Sequence, residues 1–191
     1  MPKRAFFCVL PGERASLAEA VQSVGAIPVL DFTCSPTTSV PEGAWVRVRT
    51  RRSVPGTGPV ILTGNHKAPV RNRETWLEVT EPSPLPAGFA GAVLRGAEVG
   101  GPCGALSGLE MLGRVARDQR VILDAGLSPN DAAVALASGA EGVVLSEVLL
   151  GLDEIGLPKQ MMERLGRLDG GSFHVVNGFQ IAASPLSPVL R

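Results

Sequence analysis

Net charge is absent from this sequence, because its 18 lysines and arginines are matched by 18 aspartates and glutamates. Without an excess of either sign, no long-range field steers the chain to nucleic acid or to an anionic membrane. Cysteine is scarce as well. Cys8, Cys34 and Cys103 are odd in number and in no metal-like spacing, which fits free thiols in a reducing, cytoplasmic setting. Histidine is limited to His66 and His174, and no His/Cys/Asp spacing specifies a metal site. Long hydrophobic runs are missing too. The apolar run at residues 5–10 is too short for a signal-peptide core, and no stretch approaches the roughly 20 apolar residues of a membrane span. What the chain has in quantity is glycine and proline, 23 and 16 in 191 residues. That is high for a globular protein yet below the level that argues for disorder, and the length suits one domain with a real core.

The hydrophobic pattern is clearest between residues 91 and 150. Three short apolar runs, at 92–94, 121–123 and 142–145, alternate with two helical patterns, the order expected of βαβαβ units in a parallel sheet. Ser107-Gly-Leu-Glu110 and Ser128-Pro-Asn-Asp131 open those helices as capping signals, the second with proline where its missing amide costs nothing. Further upstream, residues 5–10 read as a strand covered on both faces and residues 27–30 as a second strand, joined by a helix that a capping box at Ser16-Leu-Ala-Glu19 would start. Residues 45–49, 60–63 and 76–79 supply three more strand patterns. The total is eight, the number that closes a barrel filled by its own side chains.

The connections at 33–43, 50–59, 64–75 and 80–90 show no helical period. The expected architecture is therefore a trimmed (β/α)8 TIM-type barrel with several helices missing between strands 2 and 6. It spans residues 1–169, with 170–191 as a tail or linker. Arg47, Arg49 and Arg51 share one face of the third strand and are expected on an outward, solvated wall. The outer surface beside strands three to five, left bare by the missing helices, is the expected docking surface. Met161, Met162, Leu165 and Leu168 predict a last amphipathic helix whose methionines fill core space.

Three stretches carry a family likeness: GAEVGGPCG at 96–104, VILDAGL at 121–127 and GAEGVVLSEVLL at 139–150. In that order they resemble the nitronate monooxygenase (2-nitropropane dioxygenase) family, flavin-dependent barrels with a Gly-x-Glu-Ala-Gly-Gly-His-x-Gly stretch, an Ala-Gly-Gly-Ile turn and a Gly-Ala-x-Gly-Val-x-x-Gly-Thr stretch. The likeness is densest over residues 76–150. It is closest to the barrel-like segments that precede ketosynthases in multidomain polyketide and polyunsaturated fatty acid synthases, related to their enoyl reductases. The resemblance implies FMN as the cofactor, if any is bound, with Gly100, Gly101, Ala125, Gly126 and Ser146 around it.

The same comparison exposes two departures. Pro102 stands where the family has its catalytic histidine, and proline has no group to titrate. Glu147 stands where the family has threonine beside the flavin phosphate. Two like charges about 4 Å apart at an effective dielectric of roughly 20 repel by about 4 kcal/mol. His66, after the fourth strand, and Cys103, beside Pro102, are the remaining catalytic candidates; each also reads as an ordinary loop histidine or an inert thiol. Asp31, Glu98, Asp124 and Glu147 gather at the strand ends, either as a cation or acid/base site or as helix caps and partners of Arg95, Lys67 or Arg51.

Two functions of different class follow. The favoured expectation is a catalytically degenerate barrel that binds no cofactor or metal and serves as a structural or docking domain of a polyketide or fatty acid synthase. Its partner would be a neighbouring domain such as a ketosynthase, or a second copy of itself. The alternative is an active FMN-dependent oxidoreductase of enoyl reductase or nitronate monooxygenase type. A flavin-free barrel with a small-molecule pocket is a third reading, since fold does not fix function.

Overall fold

Eight parallel strands close on themselves in a computed structural model that describes residues 5–34, 39–115, 117–145, 156, 158–167 and 173–182. The barrel strands are β1 (Ala5–Pro11), β2 (Ile27–Asp31), β3 (Trp45–Val48), β4 (Val60–Leu62), β5 (Thr75–Val79), β6 (Gly91–Arg95), β8 (Val121–Asp124) and β9 (Gly142–Leu145). Each pairs with the next in that order, and β1 pairs with β9, Phe7 opposite Val144, so no edge is left exposed. The expected closed (β/α)8-type fold is what forms.

Alternation along the strands sends every second side chain inward. Phe7, Val29, Ile61, Trp76, Val93, Ile122 and Val144 form the interior, with Trp45 packed beside them. The rings of Phe7 and Trp45 meet edge to face with centroids 4.8 Å apart, and Trp45 and Trp76 follow at 5.8 Å. Such bulk fits only because two facing positions carry no side chain. A Cβ on Gly91 would lie 2.4 Å from the Trp76 ring, and one on Gly142 would lie 2.4 Å from the Phe7 ring.

The outer face is covered in two ways. Beside β6, β8 and β9, helices α2 (Gly108–Arg114) and α3 (Pro129–Ala137) bury Met111, Ala132, Ala135 and Leu136. Both expected caps form: Ser107 and Glu110 make a reciprocal capping box, and Ser128 accepts from the Asp131 amide. Between β2 and β6 no helix occurs among the described residues. The expectation of a bare docking wall there is nevertheless overturned, because Phe32, Val40, Val54, Val70, Leu85 and Phe89 from the loops fold over Val46, Val48, Val60, Leu62 and Leu77. Loop side chains thus do the work of the absent helices.

Other local expectations shift. The capping box at Ser16 does not form: a 3-10 turn, Gly12–Leu17, leads into α1 (Ala18–Ser23), whose first residue follows Leu17 with no side-chain cap. The last helix, α4 (Lys159–Leu165), buries none of its residues, and Met161 is exposed, so its methionines are not core filling; Leu168 lies outside the described residues. Within the expected tail, β10 (Phe173–Val176) and β11 (Phe179–Ala182) form a hairpin that pairs with a two-residue strand, β7 (Gly101–Pro102). The end of the chain, 183–191, lies outside the described residues. No helix among the described residues is long and apolar enough to cross a membrane.

Candidate functional site at the barrel mouth

Five strands place a charge two residues beyond, or at the end of, an inward apolar side chain: Asp31, Arg47, Glu78, Arg95 and Asp124. Those charges form one network across the carboxyl end of the barrel. Arg47 grips Glu78 with a two-point fork, Nε to Oε2 at 2.8 Å and Nη2 to Oε1 at 3.0 Å, and donates through Nη1 to Asp31 at 2.6 Å. Arg95 lies 3.1 Å from Asp124 and 3.7 Å from Glu78. Three carboxylates thus share two guanidinium groups, and Glu78, Arg95 and Asp124 are almost fully buried. Burial alone would lower the Arg47 pKa, but its hydrogen bond and charge attraction to Glu78, then to Asp31, outweigh it and hold the group above its ordinary value.

Arg47 is therefore not on an outward wall. Its strand neighbour on the same face is Trp45, an interior residue, and the period of two carries Arg47 inward with it. Arg49, past the end of β3, is exposed at the rim.

Arg95 also ties down the glycine-rich loop. Its Nη2 donates to the Gly100 carbonyl at 2.6 Å and its Nε to the Pro102 carbonyl at 2.9 Å. Gln180 of β11 donates to the Ala97 carbonyl at 2.8 Å, and the Cys103 amide to the Gly178 carbonyl at 2.9 Å. Glu98 accepts from the Gly108 amide at the start of α2, at 3.1 Å through Oε2. The cap-and-partner reading of the acids thus holds for Asp31, Glu98 and Asp124, although the partner of Asp31 is Arg47. Glu147 lies outside the described residues. Among the described residues no group of three or more His, Cys, Asp or Glu side chains is placed to hold a metal ion.

Above β3 to β6 the mouth opens into a cleft of about 990 Å³. His66, Gly100, Gly101 and Pro102 border it, as do Cys34, Arg49, Glu81 and Phe179. The His66 ring Nε2 lies 3.1 Å from the Thr63 carbonyl. Cys103 is buried and does not border the cleft, and neither do Ala125 and Gly126. Ser146 lies outside the described residues. The candidate residues are thus split: His66, Gly100 and Gly101 come together, while Cys103, Ala125 and Gly126 stand elsewhere.

That division bears on FMN, the group the family likeness implies. The Gly96–Gly104 loop and the Ala125–Leu127 turn would be two walls of its site, yet they touch. The Glu98 carbonyl oxygen lies 3.0 Å from where a Cβ on Gly126 would stand. The two loops therefore pack against each other, and of the residues that the likeness assigns to FMN, Gly100 and Gly101 border the cleft while Ala125 and Gly126 do not.

Sequence reasoning missed Arg47 and Glu78 as mouth residues. The signal was present in the alternation: Trp45 with Arg47, Trp76 with Glu78, Val93 with Arg95 and Ile122 with Asp124 each set an apolar residue and a charge on one strand face.

No family model matches the sequence, and no curated protein matches it. Solved structures do. A mutant of FabK from Thermotoga maritima superimposes with a TM-score of 0.72 at 16% identity, over 93% of this chain and 73% of that one. The nitroalkane oxidase of Streptomyces ansochromogenes superimposes with a TM-score of 0.56 at 14% identity, over 93% of this chain and 69% of that one. The fold is theirs. The chain therefore resembles the nitronate monooxygenase-like barrels in its motifs and in its architecture.

Proposed function

We propose that this chain is a catalytically lapsed barrel of the kind seen in FabK and nitroalkane oxidase, a pseudoenzyme that works without flavin. The observation that carries the reading is the state of Pro102. It replaces the family's histidine, its carbonyl is held by Arg95, and its strand is paired to β11. Arg95 is in turn paired to Glu78 and Asp124, so the charged groups at the mouth satisfy one another. That paired layer lines the floor of the cleft.

In this reading the protein is a cytoplasmic structural or docking domain beside a polyketide or fatty acid synthase neighbour such as a ketosynthase. The free thiols of Cys8, Cys34 and Cys103 suit that compartment. With the wall beside β3 to β5 covered by loops, the surface best suited to docking is the hairpin, where Phe173, Val175 and Phe179 are exposed. Purified protein is expected to lack flavin absorbance and to release no yellow cofactor on denaturation. Stoichiometric flavin overturns the reading and revives an active FMN-dependent oxidoreductase of enoyl reductase or nitronate monooxygenase type, which the open cleft beside His66 favours. Replacing Phe173 and Val175 with serine is expected to weaken association with the neighbouring synthase domain; unchanged association removes the docking role.

A further inference from the structure

The loops after β3 and β4 collect positive charge in a hollow that contains no carboxylate. About 500 Å³ in volume, it is lined by Arg49, Arg51, Arg52 and Arg71, with His66 in its wall. None of these arginines makes an ion pair with a described residue, whereas Arg47, Arg95 and Arg120 are all paired. Because the whole chain is electrically neutral, the accumulation is a property of this place. Guanidinium groups drawn into one concavity repel each other, and an anion relieves that repulsion.

The two loops are also fixed to one another. Arg73 of the second donates to the carbonyls of Pro55, Gly56 and Gly58 in the first, and Arg51 of the first donates to the Ala68 carbonyl of the second. Ser53 and Asn72, one in each loop, hold left-handed backbone with φ of 53° and 57°. A ligand thus meets arginines whose supporting backbone is already in place, which lowers the ordering cost of binding. The hollow opens beside the mouth cleft and shares Arg49 and His66 with it.

We propose that this hollow binds the phosphate of a phosphomonoester, with the organic part of the ligand passing His66 into the cleft. Planar guanidinium forks match the terminal oxygens of a phosphate, and several are needed to saturate them. The cleft offers Val79, Leu85 and Pro86 together with Thr63 and Thr80, a mixed lining for a neutral body. Glu81 on the same cleft disfavours a second anionic group, so the ligand carries its charge at one end. The usual phosphate position of such barrels follows the seventh and eighth strands. This one follows the third and fourth, and it stands independently of whether flavin binds.

The test is calorimetric titration of the whole chain at low ionic strength with phenyl phosphate, inorganic phosphate and phenol. Phenyl phosphate is expected to bind saturably, at least tenfold more tightly than either fragment. Arg52→Ala with Arg71→Ala is expected to weaken it at least tenfold without moving the thermal midpoint, since both side chains are exposed and make no hydrogen bond to a described residue. Arg71→Lys, which keeps the charge and loses the fork, falls between. Equal affinity in the double variant, no saturable binding, or inorganic phosphate binding as tightly as phenyl phosphate would each overturn the proposal. So would tighter binding of single-stranded RNA.

Discussion

The two ends of the barrel interior pair arginine with glutamate in opposite surroundings. At the carboxyl end, Arg47, Glu78, Arg95 and Asp124 meet inside the barrel, where Glu78 and Arg95 side chains keep only 6% and 7% of their exposure. At the amino end, Arg120 bridges Glu74 at 3.3 Å and Glu141 at 2.9 Å, with its own side chain 48% exposed. The chemistry is the same and the energetics are not. Water screens and replaces the outer pairs, while the inner ones depend on each other and on the Gly100 and Pro102 carbonyls that Arg95 holds. The buried set therefore costs much to break, even though assembling it adds little net stability. What it gives is position: Arg95 fixes the loop that carries Pro102, and through β7 the hairpin behind it.

The largest expected effect comes from removing one member of the buried set. Glu78→Ala leaves Arg47 and Arg95 without their shared partner in a poorly solvated place, a loss of about 3–5 kcal/mol. For a chain of this size each kcal/mol moves the thermal midpoint by about 2–4 °C, so calorimetry should register a fall of roughly 10 °C or more. Replacing Asp31, Arg47, Glu78, Arg95 and Asp124 together with apolar residues of similar volume should recover most of that loss, because no charge of the set is left stranded. If that variant is as unstable as Glu78→Ala, the layer contributes more than mutual neutralisation, and the two ends do not differ in the way burial alone implies.

A middle-sized effect is expected at the aromatic end. A Cβ on Gly91 would meet the Trp76 ring at 2.4 Å and the Arg120 carbonyl at 2.7 Å. Overpacking of this kind costs about 1–3 kcal/mol. Pairing Gly91→Ala with Trp76→Leu frees the ring contact but leaves the carbonyl in place, so urea denaturation should show only partial recovery relative to Trp76→Leu alone. Full recovery would mean that the ring alone dictates glycine there.

How much of this was readable in advance follows from the periods involved. Eight strands could be counted because each is a short apolar run bounded by glycine, proline or polar residues, and α2 and α3 because Ser107 and Ser128 announce them. The inward direction of Arg47 was legible only by keeping Trp45 on the same face, and three arginines in sequence at 47, 49 and 51 instead suggested a solvated wall. The covering of β3 to β5 by Phe32, Val40, Val54, Val70 and Phe89 was not readable at all. Those residues lie in loops without a period, and their contacts depend on where the chain returns. For the same reason Gly126 read as half of a phosphate cradle, while its contact with the Glu98 carbonyl appears only in three dimensions.

The smallest effect sharpens the comparison most. Arg120 lies over the Trp76 ring, 4.8 Å from its centroid, and it makes both outer ion pairs. Its hydrogen bond to Glu141 raises its pKa; burial opposes this, and the charges of Glu141 and Glu74 add to the rise. Little stability follows from that shift, because solvent screens exposed pairs to about 0–1 kcal/mol, and an exposed cation over an indole adds about 0.5–1 kcal/mol. Arg120→Met keeps the stem over the ring and removes the charge, so it should cost about 0.5–2 kcal/mol by urea denaturation. Salt separates the two ends further: with a screening length near 3 Å at 1 M, the difference between wild type and Arg120→Met should shrink, while the deficit of Glu78→Ala persists. A large salt-independent loss at Arg120 would show that its ion pairs are as shielded from water as those of the buried set.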